Sequence, residues 1–491
     1  MPLVPLEIPP GVSGVGTDLQ ASGRWRDASL VRWQSGTLAP VGGWVQFAEV
    51  DIGGPARGMI AWRDNANDQQ IAAGTFEGLH SISGTGVVQD ITPVGLSSGF
   101  KDADKNTAYG GGSFGTGKFG VERVADGAII PATTWTLDTW GQNLVAANSW
   151  DGKLYEWDLI ADSAEQIGNS PENCQGLMVT DERFLFALGA DGDPRLVKWS
   201  DREDNTKWSP EPTNQAGDIR LQTSGTILCG LNVRGQSLML TTTDAHSATY
   251  IGPPYVYSFQ KVGTSCGVVS AQAAASIDQG ALWMGQHGFY SYEGGSVANI
   301  PCEVEDAVFD DFNYNQQSKV ACAVNSEFDE VWWFYPSSGS IENDSYVFYD
   351  YVQGIWGVGK LSRTAGFDIG VLPHPVFAGA DGKLWAHETG WDYGGAKPYA
   401  ESAPIFIGSG DRIMSAVKMI PDERTLGQVQ ARFKTRLYPT GPEQEFGPYE
   451  MSNPTSVRFT GRQLRMRVEG VAAANWRVGT MRLDLAQRGR R

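Results

Sequence analysis

Apolar residues in this chain come in short runs, not in helical stripes. "RFLFAL" (183–188), "EVWWFY" (330–335), "SYVFYDY" (345–351) and "ALWMG" (281–285) are rich in aromatic and branched residues and bounded by Gly, Asp or Ser. That texture predicts strands. A helical period shows at "EDAVFDDFN" (305–313), enough for about two turns, and little else supports a helix. Near the C-terminus, "RFKTRLY" (432–438), "LRMRVEG" (464–470) and "MRLDLAQ" (481–487) alternate strictly. Alternation of period two predicts strands with one buried face. Phe433, Leu437, Leu464, Met466, Val468, Met481, Leu483 and Leu485 are then expected to face inward, and Arg432, Lys434, Arg436, Arg465, Arg467 and Arg482 outward.

The strands repeat. "NSWDGKLYEW" (148–157) and "GADGKLWAHE" (379–388) share D-G-K-L followed by an aromatic residue, with weaker copies around Gly78, Gly192 and Gly288. In each, an acidic residue or His and then Gly separate an apolar run from an alternating one, as a tight hairpin turn does. The two longest intervals, Gly192 to Gly288 and Gly288 to Gly382, leave room for degenerate turns near Asp244 and Gly339. The result is about seven units of roughly 40–50 residues, the length of a four-stranded propeller blade. The expected fold is all-β: a β-propeller of about seven blades, six being the alternative, with a long Gly/aromatic loop insertion and a C-terminal β-sandwich. The domains are expected at 1–50 (an extended arm and first strands), 51–400 (the propeller, with the loop inserted at about 96–130) and 401–491 (the basic sandwich). The 17 Trp lie mostly inside strand runs and are read as packing between blades.

Charge is distributed unevenly. The net charge is −18, yet residues 405–491 hold 15 Lys+Arg against 8 Asp+Glu, which leaves 23 against 48 in residues 1–404. An acidic body argues against wrapping nucleic acid, since phosphate binding is driven by Lys and Arg; it does not argue against letting nucleic acid pass. No run approaches the roughly 18 apolar residues of a membrane span. The Pro-spaced N-terminus lacks the basic and apolar regions of a signal peptide, so synthesis and folding in a cytoplasm are expected. The five cysteines form no C-x-x-C and are read as buried thiols, and the five histidines show no ligand spacing. No metal or other cofactor is expected.

Several motifs bear on chemistry. "YGGGSFGTGKFG" (109–120) contains G-x-x-x-x-G-K, but Phe119 stands where a P-loop needs Ser or Thr, and Gly and Pro follow where its helix should run. The better pattern is aromatic-Gly every five residues, at Tyr109, Phe114 and Phe119: a projecting loop. Together with Lys118 these residues are the candidates for closing a channel or docking on a neighbouring subunit. "GTSCG" (263–267) centres Ser265 in a G-x-S-x-G pattern, whose nucleophile elbow needs a strand before it and a helix after it; a glycine turn between blades is preferred. "SWDGKLYEW" fails the spacing of a sialidase-type Asp-box, and "IENDS" (Glu342, Asn343, Asp344) is read as a polar turn, not a Ca²⁺ site. No catalytic residue is named.

The chain also resembles a family: the tail nozzle proteins of short-tailed bacteriophages, also called tail tubular protein B-like or packaged-DNA stabilisation proteins. The resemblance rests on "GRWRDASLVRWQSGTLAPVGGW" (23–44), "AAGTFEGLHSISGTGVVQDITP" (72–93) and the aromatic-Gly loop. It continues through "GTSCGVVSAQ", "WMGQHGFYSYEGG", "EVWWFYPSSGSIENDSYVFYDY", "WGVGKLSRTAGFD" and the closing "RQLRMRVEG" and "NWRVGTMRLDL". It implies a non-enzymatic virion protein, assembled in the host cytoplasm as a ring, a hexamer, in the phage tail. That ring would join the tail adaptor protein, carry or contact tail fibres or spikes, and let DNA pass without specific binding. On charge grounds, Arg432, Lys434, Arg436, Arg465 and Arg467 are expected to form a basic face that docks an acidic surface. A second class of function fits the same residues: a propeller-type glycan-binding or glycan-cleaving tail component that uses exposed Trp.

Overall fold

The structure, a computed structural model, describes residues 3–108, 123–407, 412–425, 427–439 and 441–487. Seven four-stranded antiparallel sheets stand around one axis. Their innermost strands begin at Met59, Trp135, Gly176, Ile227, Ala274, Ala321 and Ala365, and each contacts the next until the last meets the first. The chain is therefore a seven-bladed β-propeller, not a six-bladed one. Blades one to six each take four consecutive strands. In blade seven the outer strand is Trp44–Asp51, which pairs with Lys383–His387 and closes the ring with chain from before blade one. That strand carries a bulge, with Ala48 and Glu49 at positive φ, between the pairs Lys383↔Asp51 and Trp385↔Gln46.

The repeated turns mark one structural position. The turns at Gly78, Gly152, Gly192, Asp244, Gly288, Gly339 and Gly382 each join the second strand of a blade to the third. All seven therefore lie on the face where the inner strands begin. Gly152 shows why the residue is glycine: its φ is +67, and a Cβ would sit 2.5 Å from the Asn173 Cα. The expected helix is a single short one, Glu305–Phe309.

The remaining strands form a two-sheet sandwich. One sheet runs Leu3–Leu6, Met481–Gln487, Met414–Ile420, Thr455–Gly461; the other joins Trp25–Ser29, Tyr399–Ser402, Gln463–Gly470, Val429–Arg436 and Gln444–Glu450, with Ile405–Phe406 also on Gln463–Gly470. The first 51 residues are thus divided between the sandwich and blade seven, which a four-residue strand such as Leu3–Leu6 is too short to announce by periodicity. Alternation does place the inward set: Phe433, Leu464, Met466, Val468, Met481, Leu483 and Leu485 are buried. Leu437 is the exception, 46% exposed, because its strand ends at Arg436.

The hairpin Val31–Gln34/Thr37–Pro40 bolts the sandwich to the propeller. Leu38 bridges to Val478 of the sandwich, while the buried Arg32 reaches Glu330 of blade six at 2.9 Å and Glu388 beside blade seven at 2.6 Å. Against the pull of burial, these carboxylates hold the guanidinium above its usual value, so it stays charged.

Candidate functional site

The features that could serve a function gather on the propeller face that carries the repeated turns. Between blades one and two the chain leaves the repeat as an antiparallel ribbon, Asp104–Ala108 paired with Arg123–Ile130. The candidates Tyr109, Phe114, Lys118 and Phe119 fall between these two strands in sequence, outside the described residues.

The ribbon's root is fixed over the axis. Gln316, in the turn leading to blade six, uses its side-chain amide as a strand edge: it accepts from the Ala103 N–H and donates to the Ala103 carbonyl, both at 2.9 Å. The Ala132 N–H donates to Ser318 Oγ, and Phe100 and Thr133 tie the two arms together. Beneath lies a charged clamp. Lys319, its side chain fully buried, contacts Asp102 at 2.5 Å and lies 3.9 Å from Glu342, and it donates to the Ile341 carbonyl. Glu342 is held bidentately by the buried Arg57, which also reaches the Lys101 carbonyl. Burial pushes the Lys319 ammonium down and would push Glu342 up, but Arg57 and Lys319 hold that carboxyl below its usual range. The clamp thus pairs two buried cationic side chains, Lys319 and Arg57, with the carboxylates of Asp102 and Glu342. "IENDS" contributes to it: Glu342 is taken by Arg57 and Lys319, Asp344 binds Ser337 and Ser345, and Asn343 donates to the carbonyls of Lys319 and Arg363. The carboxylate oxygens of Glu342 and Asp344 are thus spent on the protein itself.

Under the ribbon root, where the inner strands of blades two to five begin, is a cavity of about 310 Å³ bordered by Ile129, Ala132, Gln175, Thr226, Ser270 and Tyr314. Beside it a second, more polar cleft of about 500 Å³ opens between blades four and five. Its floor is Asp244, which accepts from Thr223 and Thr241 at 2.7 Å and pairs with Lys261 at 2.6 Å. Ser265 lies on its rim with φ +54. The chain continues from Ser265 into blade five without a helix, so the G-x-S-x-G stretch is a turn and not a nucleophile elbow.

The basic face of the sandwich finds its partners within the chain. The pairing register sets Arg432 opposite Arg467 and Lys434 opposite Arg465, like charges directly across two strands. Carboxylates from neighbouring segments resolve the conflict: Glu401 lies 2.8 Å from Lys434 and 3.5 Å from Arg467, Glu445 is 2.9 Å from Arg432, and Glu443 is 3.1 Å from Arg465. Arg436 is 3.8 Å from Glu443, and Asp18 also pairs with Arg465. Burial would push Glu469 up, yet Arg467 and Lys397 hold its carboxyl below its usual range. The charge argument for an outside acidic partner therefore does not stand. The acids lie far away in sequence or on the strand next door, which is why alternation alone showed only the cations.

The Trp residues are mostly core, with Trp135, Trp283, Trp333, Trp356 and Trp476 fully buried. Trp150 is 44% exposed and meets Phe100 edge-on at the ribbon root. The five cysteines are free thiols, three of them buried. Among the described residues no helix is long and apolar enough to cross a membrane.

No family model and no curated protein matches the chain. Solved structures similar to it include virginiamycin B lyase from Staphylococcus aureus, 8% identical with a TM-score of 0.42, over 70% of this chain and 97% of that one. The N-terminal domain of Nup159 is 12% identical with a TM-score of 0.37, over 71% and 94%. Both are β-propellers. PorZ, a surface component of the type-IX secretion system of Porphyromonas gingivalis, is 8% identical with a TM-score of 0.37, over 76% of this chain and 44% of its own. The likeness is one of fold.

Proposed function

We propose that this protein is a non-enzymatic structural subunit of a short-tailed phage tail: a nozzle that assembles as a ring, a hexamer, joins the adaptor and fibres, and conducts DNA through the tail. The observation that carries the reading is the ribbon. An insertion between propeller blades is ordinarily a surface loop, yet this one is rooted at the axis by a buried Lys319, a buried Arg57 and the paired amide of Gln316. Burying charge is costly and is tolerated where a geometry must be kept. Such a root suits a part that bears against another body, and the aromatic-glycine sequence between the two strands carries the residue types for such a contact. The polar clusters also favour structure over catalysis, because Arg32, Lys319, Glu342 and Asp244 are each engaged by partners in the chain.

Negative-stain imaging of the purified chain tests the proposal. Rings with an open central channel are expected, and a field of single propellers at all concentrations would overturn it.

A further inference from the structure

The cleft between blades four and five differs from the other polar clusters. Around its rim Ser224, Lys261, Thr264, Ser265, Gln286 and His287 are exposed. Among the described residues, the side-chain hydroxyls of Ser224, Thr264 and Ser265 and the amide of Gln286 have no hydrogen-bond partner, and Lys261 spends its ammonium on Asp244 alone. The turns 264–267 after blade four and 286–287 of blade five bring Thr264, Ser265, Gln286 and His287 together, while Ser224 comes from the chain leading into blade four and Lys261 from that blade's outer strand. Tyr290 adds an aromatic ring whose orientation is fixed twice. Its hydroxyl donates to the Ser265 carbonyl at 3.1 Å, and its ring stacks on the buried Trp283 at 5.9 Å.

The charges decide the class of ligand. Lys261 is neutralised by Asp244 at 2.6 Å, and that carboxylate is filled by Thr223 and Thr241. A phosphate or carboxylate would have to compete with Asp244 for the one ammonium, so an anion gains little here. An apolar ligand would strand the unpaired hydroxyls and amide. What remains is an uncharged molecule with many hydroxyls and a partly apolar face, able to exchange hydrogen bonds with the rim and lie against Tyr290. The volume, about 500 Å³, is in the range of small-ligand sites, roughly 300–1,000 Å³.

We propose that this cleft binds a hexose unit of an uncharged glycan. It binds without cleaving: glycoside hydrolysis takes two carboxylates flanking one bond, and among the described residues the cleft lining holds a single carboxylate, Asp244, already saturated. The inference does not rest on the nozzle reading, because a ring can assemble with the cleft empty and a monomer can bind sugar.

The test is saturation-transfer NMR on the full chain with methyl α-glucoside, methyl α-galactoside and N-acetylglucosamine as probes, each at millimolar concentration. Transfer to at least one probe is expected, weakened at least about tenfold, a loss of about 1.4 kcal/mol, in the double variant Gln286→Ala, His287→Ala and in Lys261→Met. Gln286 and His287 are exposed, so the double variant should keep the parent's melting temperature and report binding alone. Absence of transfer from all three probes overturns the proposal. So does transfer that survives both variants, or displacement of the sugar by inorganic phosphate at equal concentration. The mass of the assembly, read on the same sample, stays independent of all these outcomes.

Discussion

Asp138 shows how much a single residue's setting matters. It sits on the innermost strand of blade two and accepts from the Val179 N–H of blade three at 2.7 Å and from the Thr139 N–H at 2.8 Å, with no ion pair among the described residues. Burial pushes its carboxyl up to about 6. The folded state then holds a proton that the unfolded chain releases nearer pH 4, so this group's contribution to stability falls as pH rises from about 4 to about 6. In Asp138→Asn that dependence disappears. Over the same interval, the stability of the variant relative to the parent should improve by about 1–3 kcal/mol, read from urea unfolding. A difference that does not move with pH would show that the carboxyl is not desolvated. Arg32 is the opposite case: Arg32→Met leaves Glu330 and Glu388 buried without their cation, and a loss of about 3–5 kcal/mol is expected from the same measurement. Neither residue could be singled out from sequence. Each owes its state to neighbours tens to hundreds of positions away, and a strand pattern specifies a face without saying who stands opposite.

Strands and turns were far more legible. The Gly turns after Asp, Glu or His mark the same joint in blade after blade, and even the degenerate ones near Asp244 and Gly339 fall on it. Blade seven's outer strand was not legible, because Trp44–Asp51 lies more than 300 residues from its partner and is bent by a bulge. The basic sandwich face was legible in its cations alone. Since Glu401 is 6% exposed and faces Lys434, Arg465 and Arg467, Glu401→Gln should destabilise the isolated chain by about 1–3 kcal/mol. An unchanged urea midpoint would mean that the face is simply solvated, and would restore the case for an outside partner. For the ribbon, replacing Tyr109, Phe114 and Phe119 together by Ser should weaken ring assembly without lowering the melting temperature, because the root contacts at Gln316, Ser318 and Lys319 are untouched. A fall in melting temperature would place those aromatics in the propeller's own core.

For the whole molecule, the propeller follows from repeat length and turn chemistry, and the sandwich from alternation. How chain from the first 51 residues completes both is a matter of long-range pairing that local pattern does not carry. The acidic body, 48 Asp+Glu against 23 Lys+Arg in residues 1–404, predicts weak binding of free duplex DNA, and nanomolar binding at physiological salt would contradict a conduit that repels phosphate. The most direct test of the account is the mass of the purified chain in solution by light scattering. A nozzle subunit should form a closed assembly of several hundred kilodaltons, about six copies of the 53.1 kDa chain. A stable species of 53.1 kDa at every concentration would contradict it.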